Sequence, residues 1–108
     1  AWANKCMFSH NPSTAYGENI YASSGSATPA AVVTSWASES ANYNYAANTC
    51  SGGCGHYTQV VWRDSLRLGC GVTNCTMNSP FGTSNGGKWQ FWVCNYDPPG
   101  NVNGVRPY

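Results

Sequence analysis

Four side chains that can bind metal ions or transfer protons lie between residues 10 and 56: His10, Glu18, Glu39 and His56. If the two imidazoles and two carboxylates converge in one cleft, they can hold a divalent ion or form a hydrogen-bonded acid–base cluster. Their spacing matches no local ligand motif such as H-E-x-x-H. From spacing alone, the stronger alternative is structural: each histidine caps a turn or pairs with one carboxylate.

Glu39 gives the clearest indication of a site, because of the helix on which it is predicted to lie. The helix is predicted over 29–42, with Thr28 as N-cap and proline at its first position. Glu39 follows Val32 by seven residues and Trp36 by three, so all three share one face. A carboxylate on an apolar face needs a partner, and the two histidines are candidates.

Nucleophilic catalysis has weaker support. Ser9 and Ser38 lie near the candidate residues in sequence, but the chain contains no G-x-S-x-G motif. Serine hydroxyls more often cap turns or face water. We therefore predict no catalytic residue.

Predicted strands and helices are mixed along the chain without a βαβ repeat, which favours an α+β fold. Residues 1–6 are typical of the end of a helix, and residues 56–62 have the β propensity of a strand. Loops rich in Asn, Ser, Gly and Pro are predicted over 44–55 and 78–87. The predicted strands are Gly17–Ser23, Leu66–Asn74 and Lys88–Tyr96.

The last predicted strand has an informative alternation. Trp89, Phe91 and Val93 fall on one face, and Gln90 and Trp92 fall on the other. A tryptophan on the less apolar face points to an exposed binding surface.

Length and composition indicate a single secreted domain over residues 1–108. Only 8% of the 108 residues are charged and the net charge is +1, so the sequence gives no case for nucleic-acid binding. No apolar run approaches the roughly 20 residues of a membrane span. Six cysteines in so short a chain indicate disulfides from an oxidising compartment. Six cysteines allow 15 pairings, and the sequence does not choose among them.

Two longer motifs carry a family resemblance. They are Gly55-His56-Tyr57-Thr58-Gln59-Val60-Val61-Trp62 and Val93-Cys94-Asn95-Tyr96-Asp97-Pro98-Pro99-Gly100-Asn101-Val102. In this order, with cysteines between them, they resemble the signature motifs of the CAP superfamily. This superfamily comprises cysteine-rich secretory proteins, antigen 5 proteins and pathogenesis-related class 1 proteins of plant or fungal type.

The resemblance implies an α-β-α sandwich with a central antiparallel sheet, stapled by disulfides. It makes residues 56–62 a short helix and places His10, Glu18, Glu39 and His56 in one cleft. Zinc or another divalent ion occupies that cleft in some members, and no cofactor is required. The implied disulfides are Cys6–Cys70, Cys50–Cys54 and Cys75–Cys94.

The functional expectation from the resemblance is a non-enzymatic defence or host-interaction protein that binds sterols or fatty acids. One alternative is a metal-assisted hydrolase that uses the four-residue cleft. Another is a precursor of a C-terminal signalling peptide, because the tail resembles a plant defence peptide. The residues that carry that likeness are Pro98, Gly100, Asn101, Pro107 and Tyr108.

The beginning of the chain departs from the family pattern. CAP domains start with a helix packed across the sheet, and this chain holds only the last residues of it. We therefore expect exposed apolar surface that favours homo-oligomers. The lipid groove, which uses that helix as a wall in relatives, is expected to bind more weakly.

Overall fold

The computed structural model describes residues 2–108, without the side chain of Ser84. The element bounds are β1 Gly17–Ser23, α1 Pro29–Ala37, 3-10 helix Ser38–Asn42, β2 Tyr43–Asn44, β3 Thr49–Cys50, α2 Gly55–Val60, β4 Arg67–Cys75, 3-10 helix Ser84–Gly87 and β5 Trp89–Asp97. A three-stranded antiparallel sheet forms the centre of the domain, in the order β1-β5-β4. Helices α1 and α2 pack against each other on one side of this sheet. A further 3-10 helix, Trp2–Lys5, packs against β4 and β5.

The central strand β5 explains the two-sided core. Trp89, Phe91 and Val93 are buried in one apolar cluster together with Ala3 of the first 3-10 helix. Cys94 and Tyr96 belong to a second cluster with Val32 and Trp36 of α1. Side chains alternate between faces along a strand, so β5 supplies both clusters, and the sheet separates a 3-10 layer from a helical layer. This is the predicted α-β-α sandwich with an antiparallel sheet.

The predicted helix over 29–42 has the expected start but changes type along its length. Thr28 caps α1 by accepting a hydrogen bond from the backbone N–H of Ala31 at 3.1 Å. After Ala37 the chain continues as a 3-10 helix to Asn42. Val32 and Trp36 are buried and Glu39 is partly buried, as their shared face predicts.

Two local predictions need correction. Residues 56–62 do not form the strand that their β propensity indicated, because Gly55–Val60 is a helix, as the resemblance implied. The predicted loop 44–55 contains three of the four paired residues of a small hairpin, in which Tyr43 pairs with Cys50 and Asn44 with Thr49. The predicted helix end at 1–6 appears as the 3-10 helix Trp2–Lys5, and Ala1 lies outside the described residues. Among residues 2–108, no helix has both the length and the apolar character needed to cross a bilayer.

The implied disulfide pairing is wrong for two of the three bridges. The structure has Cys6–Cys75 and Cys70–Cys94 in place of Cys6–Cys70 and Cys75–Cys94, whereas Cys50–Cys54 is confirmed. Cys70 lies directly opposite Cys94 in the β4–β5 register, with their Cα atoms 4.1 Å apart. Cys75 is five residues further along β4 than Cys70, which places it roughly 17 Å away at the usual rise per strand residue. It also points to the other face, where Cys6 packs beside the 3-10 helix.

Candidate functional site

The first part of the candidate site is a His56–Glu39 pair at the start of α2. Nδ1 of His56 lies 2.7 Å from Oε2 of Glu39. The other carboxylate oxygen accepts the backbone N–H groups of His56 and Tyr57 at 3.0 and 3.1 Å. Glu39 therefore holds both the imidazole and the first turn of α2. The His56 ring also stacks on Trp36, with centroids 6.1 Å apart and planes 12° apart.

The second part is a His10–Glu18 pair at the start of β1. Nδ1 of His10 lies 2.8 Å from Oε1 of Glu18, and the same oxygen accepts the backbone N–H of Asn11 at 2.9 Å. The carboxylate is nearly inaccessible, with 4% of the side chain exposed, whereas His10 is 62% exposed. Oε2 of Glu18 is buried and has no hydrogen-bond partner among the described residues.

The structure places the four predicted residues in two hydrogen-bonded His–Glu pairs. Asn19 donates from its side chain to the carbonyl of His56 at 3.1 Å, so its side chain faces the helical layer. Glu18 precedes Asn19 on the same strand and therefore points to the opposite face. Its cross-strand neighbour there is Asn95.

This arrangement does not suit a metal ion that needs three or four ligands. Within residues 2–108, no three or more His, Cys, Asp or Glu side chains lie close enough together to hold one. Each imidazole already uses Nδ1 toward a carboxylate. A carboxylate that orients a histidine in this way is typical of an outer ligand shell, but each pair offers only one free imidazole nitrogen, Nε2.

Chemically, each pair can orient an imidazole and transfer a proton. With an ionised carboxylate, Nδ1 carries the hydrogen and Nε2 is the acceptor. A nucleophile in line with Nε2 is the component that the described residues do not supply. Ser38 donates its hydroxyl to the carbonyl of Ser35 at 2.6 Å, which is a turn contact. Apart from Ser84, whose side chain is not described, no serine hydroxyl in residues 2–108 is hydrogen-bonded to either histidine.

Gln59 is a structural residue that the sequence analysis missed. It is 1% exposed and lies on α2 between Gly17 and Gly100. Its Oε1 accepts the backbone N–H of Gly100 at 3.0 Å, and its Nε2 donates to Ser65 Oγ at 3.1 Å. A Cβ added at Gly17 would lie 2.1 Å from Oε1 and 2.9 Å from Cδ, so a larger residue there would displace the Gln59 amide. Its place in the Gly55–Trp62 motif is the signal that could have identified it.

The C-terminal tail, residues 98–108, is anchored at several points along its length. Ser65 Oγ donates to the carbonyl of Pro98 at 2.7 Å, and the backbone N–H of Arg63 donates to the carbonyl of Pro107 at 2.8 Å. The Asn101 side chain donates to the carbonyl of Gly55 at 2.9 Å. Residues 101–106 are nevertheless exposed and lie outside any helix or strand. The tail is thus accessible but fixed to α2 and the turn after it.

An apolar groove of about 310 Å³ runs between α1 and the β4–β5 pair. Val33 and Val72 stand at its surface with 44% and 48% exposure. Its lining is Pro29, Val32, Val33, Trp36, Cys70, Gly71, Val72, Trp92 and Cys94. Trp92 is the residue whose position in the alternation predicted a binding surface, whereas the valines of the groove were missed.

Beside the groove lies a pair of side-chain amides. Gln90 and Asn74 are opposite each other in the β5–β4 register and share the face of Trp92 and Val72. The Gln90 amide donates to Oδ1 of Asn74 at 3.3 Å, and its Oε1 accepts the backbone N–H of Ala27 at 2.9 Å. The amide pair is therefore next to Trp92 and Val72 on the sheet but outside the groove lining itself.

A second cavity, of about 460 Å³, lies on the opposite face of the sheet. Its lining includes Trp2, Ala3, Val93, Asn95 and the ion-paired Arg67 and Asp97. Oδ1 of Asn95 is buried without a hydrogen-bond partner in the described chain.

Comparison with known proteins agrees with the motifs, the three disulfides and the layered sheet. The model of the cysteine-rich secretory protein family, CAP, matches residues 1–96. This chain belongs to the CAP family. The domain is 52% identical over 93 residues to a pathogenesis-related protein 1 of Arabidopsis thaliana, covering 86% of this chain and 52% of the relative. It is 49% identical over 108 residues to pathogenesis-related leaf protein 4 of Solanum lycopersicum, covering 98% of this chain and 60% of that protein.

Solved structures show the same fold. The CAP domain described here matches the Schistosoma mansoni venom allergen-like protein 4 with a TM-score of 0.73 and 29% identity, over 99% of this chain and 64% of that one. It matches NaASP2, solved with Zn²⁺, with a TM-score of 0.71 and 30% identity, over 98% of this chain and 57% of that one. The chain spans about half the length of the curated Arabidopsis relative that it matches, 52%.

Proposed function

We propose that this CAP domain is part of a secreted, defence-related protein that binds a sterol or another lipid and catalyses no reaction. The observation that carries the proposal is the apolar groove between α1 and the β4–β5 pair. Its volume of about 310 Å³ is at the lower end of the range for small-molecule sites, which is roughly 300–1,000 Å³. Defence and secretion are supported by the pathogenesis-related relatives and by the three disulfides.

The groove chemistry favours a largely apolar ligand with a single polar group. Val32, Trp36 and Trp92 offer aliphatic and aromatic surface, and burial of that surface would drive binding. The Gln90–Asn74 amide pair lies on the same sheet face and can donate to or accept from one hydroxyl. A sterol, with a rigid ring system and one hydroxyl, meets both requirements.

The His–Glu pairs do not line this groove, although the His56 ring stacks on Trp36, which does. Their hydrogen bonds hold the start of α2 and the loop before β1. We assign them a structural role in positioning those segments.

The experiment is a titration with a fluorescent sterol of Val33→Lys and Val72→Lys variants, which place a charge in the groove. Each variant should weaken binding by ~10-fold or more, equivalent to about 1.4 kcal/mol. Leu66→Lys is the matched control, because Leu66 is 79% exposed and lies outside the groove lining. Unchanged affinity in both groove variants would place the ligand elsewhere.

A second candidate function, release of the tail as a peptide, is favoured by the exposure of residues 101–106. The anchors at Pro98, Asn101 and Pro107 must open for a released peptide to leave. Incubation of the folded protein with extracellular fluid should then yield a fragment that begins at Pro98, detected by mass spectrometry. Cleavage only at other bonds would reject this candidate.

A further inference from the structure

Tyrosines gather where the end of the tail meets α2 and the small hairpin. The phenol oxygens of Tyr57 and Tyr108 lie 2.9 Å apart and share a hydrogen bond. The Tyr108 ring stacks on Tyr45, with centroids 4.9 Å apart and planes 12° apart. The ring centroids of Tyr43 and Tyr57 are 5.9 Å apart. Neither lipid binding nor the His–Glu pairs use this cluster.

The head-to-head contact of Tyr57 and Tyr108 resembles the geometry of a specific covalent product. Oxidative coupling of two phenols joins the ring carbons next to each C–OH group. The two hydroxyls of the product are therefore adjacent, close enough to share a hydrogen bond. Tyr57 and Tyr108 already hold their hydroxyls in this relation, although they are 51 positions apart in sequence.

Exposure and protonation are compatible with oxidation at this site. Tyr108 is 47% exposed, so an oxidant can reach its ring. The hydrogen bond with Tyr108, together with burial, raises the pKa of Tyr57 to about 12. At neutral pH the Tyr57 phenol is therefore protonated, and it loses this proton when the ring loses an electron.

We propose that Tyr57 and Tyr108 form a site for intramolecular dityrosine cross-linking. The oxidant is hydrogen peroxide, used by an extracellular haem peroxidase. Each phenol loses one electron and one proton to give a phenoxyl radical. The two radicals form one carbon–carbon bond, and the ring hydrogens at the bonded carbons then shift to restore both phenols. Overall two hydrogen atoms leave the protein, and one hydrogen peroxide molecule is reduced to two water molecules.

The cross-link would fasten the tail to α2 by a covalent bond. Without it, hydrogen bonds hold the tail. Among them, the Arg106 side chain donates to the carbonyls of Tyr45 and Ala46 at 2.9 and 2.8 Å. A coupled tail cannot leave as a separate peptide, whichever upstream bond a protease cuts. Oxidation would thus control whether residues 98–108 can separate from the domain.

The test is to treat the purified protein with a haem peroxidase and hydrogen peroxide and then to measure intact mass and peptide maps. We expect a monomer lighter by two hydrogen atoms, dityrosine fluorescence, and a linked peptide pair that contains Tyr57 and Tyr108. Tyr57→Phe keeps the ring and should lose most of the product. Tyr45→Phe and Tyr16→Phe should retain it, since Tyr16 is exposed but lies outside the cluster.

Circular dichroism and the melting temperature of each variant, before oxidation, separate a folding defect from a lost coupling partner. A peptide pair that joins Tyr45 to Tyr108 would overturn the assignment. So would cross-links found only between molecules, or the full yield of the monomeric product in a folded Tyr57→Phe variant.

Discussion

At the scale of single residues, the hydrogen bond between Tyr57 and Tyr108 sets the ionisation of Tyr57. That bond is the largest cause of its raised pKa, ahead of burial, and the raised value is about 12. Because the folded state holds this proton more tightly than the unfolded state, with its ordinary pKa of 10.0, the contribution to stability is complete below pH 10. It is lost as pH rises toward 12.

A Tyr108→Phe variant should therefore return the pKa of Tyr57 toward 10 and flatten the loss of stability over this pH range. Ring-selective NMR titration of Tyr57 measures the first effect, and denaturant unfolding at several pH values measures the second. Tyr16→Phe is the control and should leave both unchanged. An unaltered Tyr57 titration in Tyr108→Phe would show that the hydrogen bond does not cause the shift.

The contact between Gln59 and Gly100 gives a second prediction at this scale. A Cβ at position 100 would lie 2.7 Å from Cγ of Trp62 and 2.8 Å from Nε2 of Gln59. Gly100→Ala should therefore destabilise the fold by about 1–3 kcal/mol, the usual cost of overpacking. Gly25→Ala is the matched control, because no described atom lies within 4 Å of that Cβ position. Equal melting temperatures for both variants would contradict the close packing of the tail on α2.

The sequence predicted partners for the histidines but not the pairing itself. Glu39 on the face of Val32 and Trp36 predicted a carboxylate in need of a partner, and His56 is that partner. Glu18 and Asn19 are neighbours in sequence, but side chains alternate along a strand, so the two point to opposite faces of the sheet. Spacing along the chain does not contain that information until the register of β1 is known.

At the scale of elements, strand register decides the disulfides. Cys70 faces Cys94 across β4 and β5, and Cys75 lies in the other layer with Cys6. Peptide mapping under non-reducing conditions should therefore recover Cys70 linked to Cys94 and Cys6 linked to Cys75. Peptides that join Cys6 to Cys70 would contradict the register, since Cys70 would then have to point to the sheet face on which Cys6 lies.

Most elements were predictable because each carries a local signal. The Thr28–Pro29 start fixed α1, and alternating apolar residues fixed β5. The helix Gly55–Val60 was mispredicted from its β propensity because tertiary contacts override propensity in so short a segment. Glu39, bound to the backbone N–H groups of His56 and Tyr57, supplies those contacts from a distant part of the sequence.

At the scale of the whole molecule, the layered fold separates three kinds of surface. The apolar groove lies between α1 and the sheet, the His10–Glu18 pair lies at the start of β1, and the tail covers α2. The family resemblance predicted the layers and the four acid–base residues. The resemblance did not predict that none of these four residues lines the groove, because the lining depends on how α1 crosses β4 and β5.

The most direct test of lipid binding in the groove is a sterol titration of Val72→Lys and His56→Phe in parallel, with turnover assays on ester and peptide substrates. His56→Phe removes the imidazole nitrogens but keeps a flat ring against Trp36, which lines the groove. We expect Val72→Lys to weaken sterol binding by ~10-fold or more. His56→Phe should keep nearly all of its affinity, and the unmodified protein should turn over neither substrate. Affinity lost in a folded His56→Phe variant but kept in Val72→Lys would rule out the groove as the binding site, and substrate turnover that depends on His56 would show that the protein is an enzyme.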